Sequence, residues 1–178
     1  MSENLWAPWR MQYLKQLDPN EGIKPSGSGP ACFLCEALTF DVNSDDAVKR
    51  LVLVNDARGM IILNRFPYTN GHLLVSPREH LGDLIDLTAS QRTDFIELTA
   101  LAERIVRLAY NPQGINMGIN IGRCAGAGLP GHLHMHILPR WGGDTNFITT
   151  VGDIRIIPQA LEESFGLLRD ATMKLSQS

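Results

Sequence analysis

Three histidines at alternating positions are the feature of this chain best suited to chemistry. They are His132, His134 and His136, and the apolar residues Leu133 and Met135 separate them. Successive side chains of a β-strand point to opposite faces, so an extended backbone here would place all three imidazoles on one face. The pattern therefore predicts a row of imidazoles on a strand that is otherwise typical of a protein core.

Such a row supports two kinds of chemistry. As a metal site, two imidazoles would converge on one Zn²⁺, whereas three neighbours spaced ~6.6 Å apart along a straight strand reach a single ion poorly. As a catalytic site, one imidazole would attack phosphorus near neutral pH, and its neighbours would supply acid–base and charge-stabilising groups. The histidines alone leave both interpretations open.

The segment before the row favours phosphate chemistry. Residues 122–131 read GRCAGAGLPG and contain four glycines in ten positions. Glycines let backbone amides approach an anion closely, and such amide groups bind phosphate oxygens. A loop of this kind next to the histidines indicates phosphoryl transfer, which depends on positioning and electrostatics that amides and imidazolium ions supply.

The surrounding pattern predicts an α+β domain with about five antiparallel strands. Short runs of β-branched and leucine-rich residues separated by turn residues indicate strands, whereas apolar residues at three- and four-residue spacing indicate helices. Thr88 and Gln91 fit a capping box at the start of one long helix. The predicted strands are 50–56, 60–65, 71–77, 114–122 and 132–140, and the predicted helices are 89–110 and 158–174.

Composition sets the broader class. The chain has 178 residues, 44% of them hydrophobic, and a formal net charge of −3. This acidic balance argues against nucleic-acid binding, and no apolar run is long enough to span a membrane. The start of the chain has no apolar segment typical of a secretion signal, so we expect a cytoplasmic protein. Residues 1–31 are predicted to be an arm and linker, followed by one domain over 32–178.

The motifs together resemble those of the histidine-triad (HIT) superfamily. The stretch HLHMHILPR over 132–140 is similar to its signature of three histidines alternating with apolar residues. The block NRFPYTNGHLLVSP over 64–77 resembles that of the fragile-histidine-triad branch, and the opening LWAPWRMQYL and the segment RWGGDTNF resemble bacterial dinucleoside-polyphosphate phosphorylases and hydrolases of that branch. The resemblance covers roughly residues 5–165.

The resemblance implies a half-barrel sheet, a homodimer with one continuous ten-stranded sheet, and cleavage of diadenosine polyphosphates. It implies that His134 is the nucleophile that forms a nucleotidyl-histidine intermediate. By the same comparison, His136 and His72 contact phosphate and ribose. The residues themselves indicate that a neighbouring imidazolium, His136 or His132, offsets the charge on the leaving phosphate chain. The implied nucleotide-binding positions are Asn64, Asn120, Gly126 and Gly128, and Trp141 is expected at the rim of the site.

The pair Cys32 and Cys35 suits two ligands of a tetrahedral Zn²⁺. This spacing resembles that of HIT proteins in which two cysteines and two histidines form a Cys₂His₂ arrangement. The resemblance implies His80 and His132 as the other ligands of a structural zinc. The alternative is a reduced pair in an apolar turn. Trp6, Trp9 and Arg10 of the arm either pack against protein or stack on a nucleobase.

Two alternatives to a nucleotidyl-transferring enzyme remain at this point. One is a metal-dependent hydrolase that uses the histidine row as ligands, and the other is a nucleotide-binding sensor without turnover. The loop over 126–131 also lacks the Ser or Thr hydroxyl found in many relatives. The sequence therefore leaves open whether water or inorganic phosphate accepts the nucleotidyl group.

Overall fold

The computed structural model describes residues 32–144, 157 and 159–177. The predicted arm over 1–31, with Trp6, Trp9 and Arg10, lies outside the described residues. The helices are α1 (Phe33–Ala37), α2 (Asp45–Lys49), α3 (Ala89–Tyr110) and α4 (Leu161–Ser176). The strands are β1 (Val52–Asp56), β2 (Gly59–Leu63), β3 (Leu73–Pro77), β4 (Gly114–Ile119) and β5 (Met135–Arg140).

The five strands form one antiparallel sheet in the order β1-β2-β3-β5-β4. This arrangement brings β3 and β5 together at its centre, where Leu74 pairs with His136. Leu73 and Ile137, which directly follow His72 and His136 in the chain, are fully buried, as is Val75. The predicted α+β fold is confirmed.

The long helix α3 packs on this sheet through Phe95, Leu98, Ala102 and Ile105, all fully buried. Its start is the predicted capping box, in which the Thr88 hydroxyl accepts from the Gln91 N–H and the Gln91 side chain accepts from the Thr88 N–H. Both exchanges satisfy donors that a helix N-terminus leaves without partners.

The last strand begins later than predicted. The sequence pattern predicts a strand over 132–140, but β5 starts at Met135. The cause is that the Leu133 N–H donates to the carbonyl of Leu81, in the loop after β3, over 2.7 Å. The backbone that carries His132 and His134 therefore departs from the sheet, so the three imidazoles do not form one even row. The predicted strand over 114–122 likewise ends at Ile119, before a glycine with a φ of 80° at Gly122.

Candidate active site

The structure divides the five histidines into two groups. His72 and His136 share a hydrogen bond, and the ring of His134 lies 5.1 Å from that of His136. His80 and His132 lie instead with the two cysteines Cys32 and Cys35. The first group brings together three imidazoles, and the second is a set of side chains that could hold a metal ion.

His72 is held by a turn that only glycine fits. Gly71 has a φ of 70°, and a Cβ there would lie 2.4 Å from the ring of Tyr110. The His72 side chain is fully buried. Its Nδ1 accepts hydrogen bonds from the Tyr68 N–H and from the Asn64 Nδ2, each over 3.1 Å. The proton of the neutral ring is therefore on Nε2.

This arrangement determines the tautomer of His136 as well. The His72 Nε2–H donates to the His136 Nδ1 over 2.9 Å, so neutral His136 carries its proton on Nε2. Burial, with smaller effects from His136 and His134, lowers the pKa of His72 to about 3. Burial followed by the proximity of His134 also lowers the pKa of His136. Both rings are neutral at pH 7 without a bound anion.

His134 is positioned by its own backbone. Its Nδ1 lies 2.8 Å from the carbonyl oxygen of His132, and because a carbonyl only accepts, Nδ1 carries the proton. Nε2 therefore carries a free lone pair. The side chain is 7% exposed, so little water competes for that lone pair. An imidazole fixed in this tautomer is prepared to act as a nucleophile.

Asn64 connects the histidines to a cavity. Its Oδ1 accepts from the Phe66 N–H over 3.0 Å, which turns Nδ2 toward His72. A cavity of about 290 Å³ lies beside it. The cavity is lined by apolar and basic side chains, among them Phe33, Ile62, Leu74, Arg50 and Arg65. Asn64 thus belongs both to the wall of this cavity and to the hydrogen-bond chain that ends at His136.

The glycine loop is more ordered internally than the sequence suggests. The amides of Ala125, Gly126 and Ala127 donate to carbonyls of Gly122 and Arg123 within the loop. Gly126 has a φ of 92°, and a Cβ there would lie 3.8 Å from the Asn120 Nδ2. The structure therefore brings Asn120 and Gly126 together, but the amides of residues 125–127 are engaged within the loop.

The remaining predicted positions are more open. A Cβ built on Gly128 meets no atom within 4 Å. Trp141 is half-buried and packs edge-on against Tyr110, with ring centroids 6.1 Å apart. The Trp141 ring thus contacts the end of α3. Its predicted place at the rim of the site stays a prediction.

The second group forms a four-residue cluster with the chemistry of a zinc site. One ligand atom from each of Cys32, Cys35, His80 and His132 lies within 4.8 Å of the others. The His132 Nδ1 is 3.3 Å from the Cys32 Sγ, and the His80 Nδ1 is 3.1 Å from the Cys35 Sγ. Two thiolates and two imidazoles are a common ligand set for tetrahedral Zn²⁺.

The tautomer of His132 also suits a metal. Its Nε2–H donates to the carbonyl of Pro77 over 3.0 Å, which leaves the Nδ1 lone pair toward the cysteines. Without a metal, burial and then the neighbouring Cys32 raise the pKa of Cys35 to about 11. A bound cation reverses this preference because it stabilises the thiolate. Both ring nitrogens of His132 have partners here, and its predicted role in offsetting the charge of a leaving phosphate stays a prediction.

Tyr68 lies beside the histidine pair, although no sequence pattern marks it as a site residue. Its ring lies 4.8 Å from the ring of His72 and 5.9 Å from that of His136. The position is four residues before His72, in a turn whose composition indicates only a reversal of the chain. Only the tertiary fold shows that this turn covers the histidine pair.

The fold and the site together define a class of protein. An open antiparallel sheet, one long helix on its face and a His-x-His-x-His segment at its central strands are the features that the histidine-triad resemblance implies. A family model described as "HIT domain" matches residues 46–143, which is more than half of the chain. The chain belongs to the HIT family, and the resemblance found in the sequence is confirmed.

Named relatives agree with this assignment. The "AP-4-A phosphorylase" of Mycobacterium tuberculosis is 38% identical over 170 residues, covering 93% of this chain and 82% of that protein. The "Bis(5'-adenosyl)-triphosphatase" of Saccharomyces cerevisiae is 35% identical over 94 residues, covering 52% and 43%. The crystal structure of a Zn-bound histidine triad family protein from Mycobacterium smegmatis is 30% identical, with a TM-score of 0.62 and coverage of 83% and 96%.

Within residues 32–144 and 159–177, no helix combines the length and the apolar character that crossing a membrane requires.

Proposed function

We propose that this chain is an enzyme that cleaves dinucleoside polyphosphates of the diadenosine tetraphosphate type by nucleotidyl transfer through a covalent nucleotidyl-histidine at His134. The observation that carries the proposal is the 2.8 Å hydrogen bond from the His134 Nδ1–H to the His132 carbonyl, which leaves Nε2 as the nucleophilic atom. The names of the relatives support the substrate class, since one is an AP-4-A phosphorylase and another is a bis(5'-adenosyl)-triphosphatase.

The first step forms a bond between the His134 Nε2 and an α-phosphorus. The bond from that phosphorus to the bridging oxygen breaks, and the electron pair leaves with the departing nucleotide. The His136 Nε2–H donates a hydrogen bond to the leaving phosphate chain, which departs as an anion, so His136 keeps its proton. Gly118, paired with His136 across the sheet, has open space where a Cβ would lie, which leaves room for that chain.

The second step releases the nucleotide. An oxygen of water or of inorganic phosphate attacks the same phosphorus, the P–N bond breaks, and the electron pair returns to the His134 Nε2. The acceptor's proton passes to bulk water in this step, and His136 stays neutral throughout the cycle. The chain thus ends the cycle in the tautomers that the hydrogen bonds define.

Product analysis with diadenosine tetraphosphate tests the proposal and identifies the acceptor. The enzyme is assayed with and without inorganic phosphate, and with EDTA as a control. ADP and ATP formed only with phosphate indicate phosphorolysis, whereas AMP and ATP formed without phosphate indicate hydrolysis. Tight nucleotide binding with no product would contradict the proposal and favour a sensor.

The alternative of a metal-dependent hydrolase finds no comparable support. Among the described residues, the group suited to a metal is the cluster of Cys32, Cys35, His80 and His132. That group contains neither His134 nor His136. We propose that the cluster holds a structural Zn²⁺, whose role is to stabilise the fold around it.

We propose that the cavity of about 290 Å³ receives the nucleoside next to the attacked phosphorus. Phe33 lines it and is 41% exposed, so its ring is accessible for stacking on a base. The substitution Phe33→Ala should raise KM roughly tenfold with a smaller change in kcat, because base–aromatic stacking is worth about 1–3 kcal/mol. Steady-state kinetics with diadenosine tetraphosphate measures both constants.

The matched control for the cavity is Ile85→Ala, since Ile85 is 86% exposed and does not line the cavity. This variant should keep the KM of the unsubstituted protein. Zinc content is measured in both variants because Phe33 adjoins Cys32 in sequence. An unchanged KM in Phe33→Ala would place the nucleoside elsewhere.

We propose that the protein is a homodimer joined at β4. This strand ends the sheet order and, among the described residues, pairs only with β5. Met117 at its centre is 42% exposed. An edge strand with an exposed apolar side chain is a ready template for pairing with another chain, so two copies would form the ten-stranded sheet that the resemblance implies.

The substitution Met117→Lys should shift the protein from dimer to monomer because a charged side chain blocks edge pairing. Light scattering during size-exclusion chromatography gives the mass directly, with Ile85→Lys as the control for an added surface charge. The unsubstituted protein and the control should both show the mass of two chains. A mass of one chain for the unsubstituted protein would contradict the dimer.

A further inference from the structure

Tyr68 covers the hydrogen-bonded pair of His72 and His136. Its ring is nearly parallel to that of His136, with an interplanar angle of 19° and a centroid distance of 5.9 Å. It also lies 4.8 Å from the ring of His72 at an angle of 39°. His72 is fully buried, whereas Tyr68 is 45% exposed, so Tyr68 stands between the pair and solvent.

His136 is held on three sides. The His72 Nε2–H binds its Nδ1, the His134 ring meets it edge-on at 66°, and Tyr68 stacks along one face. A hydrogen bond at Nδ1 alone leaves the imidazole free to tilt about that bond. An aromatic ring against its face restricts this tilt and so defines the direction of the Nε2–H bond.

We propose that the Tyr68 ring is a positioning residue that holds His136 so that its Nε2–H is directed at the leaving phosphate chain. The role rests on the proposed function of His136 as the donor to the leaving group. This role belongs to the side chain of Tyr68 and not to its backbone. The Tyr68 N–H donates to the His72 Nδ1, and every residue except proline has such an N–H.

The matched variants are Tyr68→Phe, which keeps the ring, and Tyr68→Leu, which keeps the N–H and much of the apolar volume but removes the stack. We expect kcat to fall on the order of tenfold to a hundredfold in Tyr68→Leu, with KM little changed, because a small misplacement of a reacting group is costly. Tyr68→Phe should stay within about threefold of the unsubstituted protein. Thermal unfolding confirms that both variants fold.

A readout independent of turnover is the NMR titration of the histidine ring nitrogens. The titratable groups whose rings face His136 are His72 from the β2–β3 side, His134 from the segment before β5 and the phenol of Tyr68 itself. Burial lowers the pKa of His136, so removing the covering ring admits water and should raise that pKa toward the ordinary value of about 6.5. Tyr68→Phe should titrate like the unsubstituted protein.

The outcomes separate this inference from the proposed function. A Tyr68→Leu variant with unchanged kcat and an unchanged His136 titration overturns the inference. A Tyr68→Phe variant that is as impaired as Tyr68→Leu also overturns it, because the effect would then come from the hydroxyl. A shifted His136 titration in Tyr68→Leu supports the positioning of His136 whether or not the unsubstituted protein cleaves diadenosine tetraphosphate. If the unsubstituted protein does not cleave it, the proposed function alone fails.

Discussion

Replacing His134 by asparagine should abolish turnover of diadenosine tetraphosphate while leaving the fold intact. Asparagine offers its Nδ2 close to the place of the imidazole Nδ1, so it can keep the hydrogen bond to the His132 carbonyl. It has no atom corresponding to Nε2, so the nucleophile is lost. We expect a loss in kcat on the order of 10⁴-fold or more, as for other nucleophiles that act as part of a unit.

The comparison variant for His134 is His136→Asn. In our scheme the His136 side chain donates a hydrogen bond to the leaving group, and removing one such donor costs roughly 10²–10³-fold. It should therefore retain more activity than His134→Asn, and it should still form the covalent intermediate, though slowly. Thermal unfolding and zinc content are measured for both. Turnover by a folded His134→Asn protein near the original rate would show that another atom attacks phosphorus.

Removing one cysteine of the proposed zinc site should destabilise the protein and slow its reaction. We expect Cys35→Ser to lose most bound zinc and to lower the free energy of unfolding by roughly 3–5 kcal/mol, or about 10 °C in Tm for a chain of this size. Metal analysis and thermal unfolding measure the two effects. His132 offers its ring to the proposed zinc site and its carbonyl to His134, so loosening that site should also lower kcat.

The control for Cys35→Ser at the proposed zinc site is Cys124→Ser. Cys124 is exposed, lies in the glycine loop and is not part of the cluster. This variant should keep its zinc, its Tm and its activity, which separates loss of a ligand from loss of any thiol. One zinc per chain retained in Cys35→Ser, with an unchanged Tm, would contradict the proposed structural site.

Local patterns in the sequence account for most of the fold. The leucine-rich run after His72 and the alternating pattern around His136 predict the two central strands, and the capping box at Thr88 predicts the start of α3 to the residue. These features depend on residues close together in the chain, so a linear pattern contains the information. The helix α1 is only five residues long, too short for a periodic pattern to show.

The division of the histidines depends on contacts between distant parts of the chain. The ring of His132 turns to the cysteines because its Nε2–H binds the Pro77 carbonyl, 55 residues earlier, and because Leu133 binds Leu81. A strand pattern alone assigns His132 to the same face as His134. The resemblance nevertheless proposed His132 as a metal ligand, and the geometry of the cluster is consistent with that proposal.

The hydrogen bonds within the glycine loop are local, yet the glycine content of the sequence does not predict them. A run rich in glycine indicates a flexible anion site, but a short helical turn over Arg123–Ala125 satisfies several of its own amides. Glycine content reports what conformations are permitted and does not report which amides remain available. Asn120 beside Gly126 is therefore a better starting point for mutagenesis of phosphate binding than the loop amides of residues 125–127.

The most direct measurement of the central claim is the mass of the protein during turnover. The enzyme is mixed with diadenosine tetraphosphate, denatured within milliseconds at alkaline pH to preserve a P–N bond, and analysed by intact-protein and peptide mass spectrometry. We predict a mass increase of one adenylyl group, located on His134 and absent from His134→Asn. An adduct on another residue, or none in a protein that turns over rapidly under the same conditions, would contradict the claim.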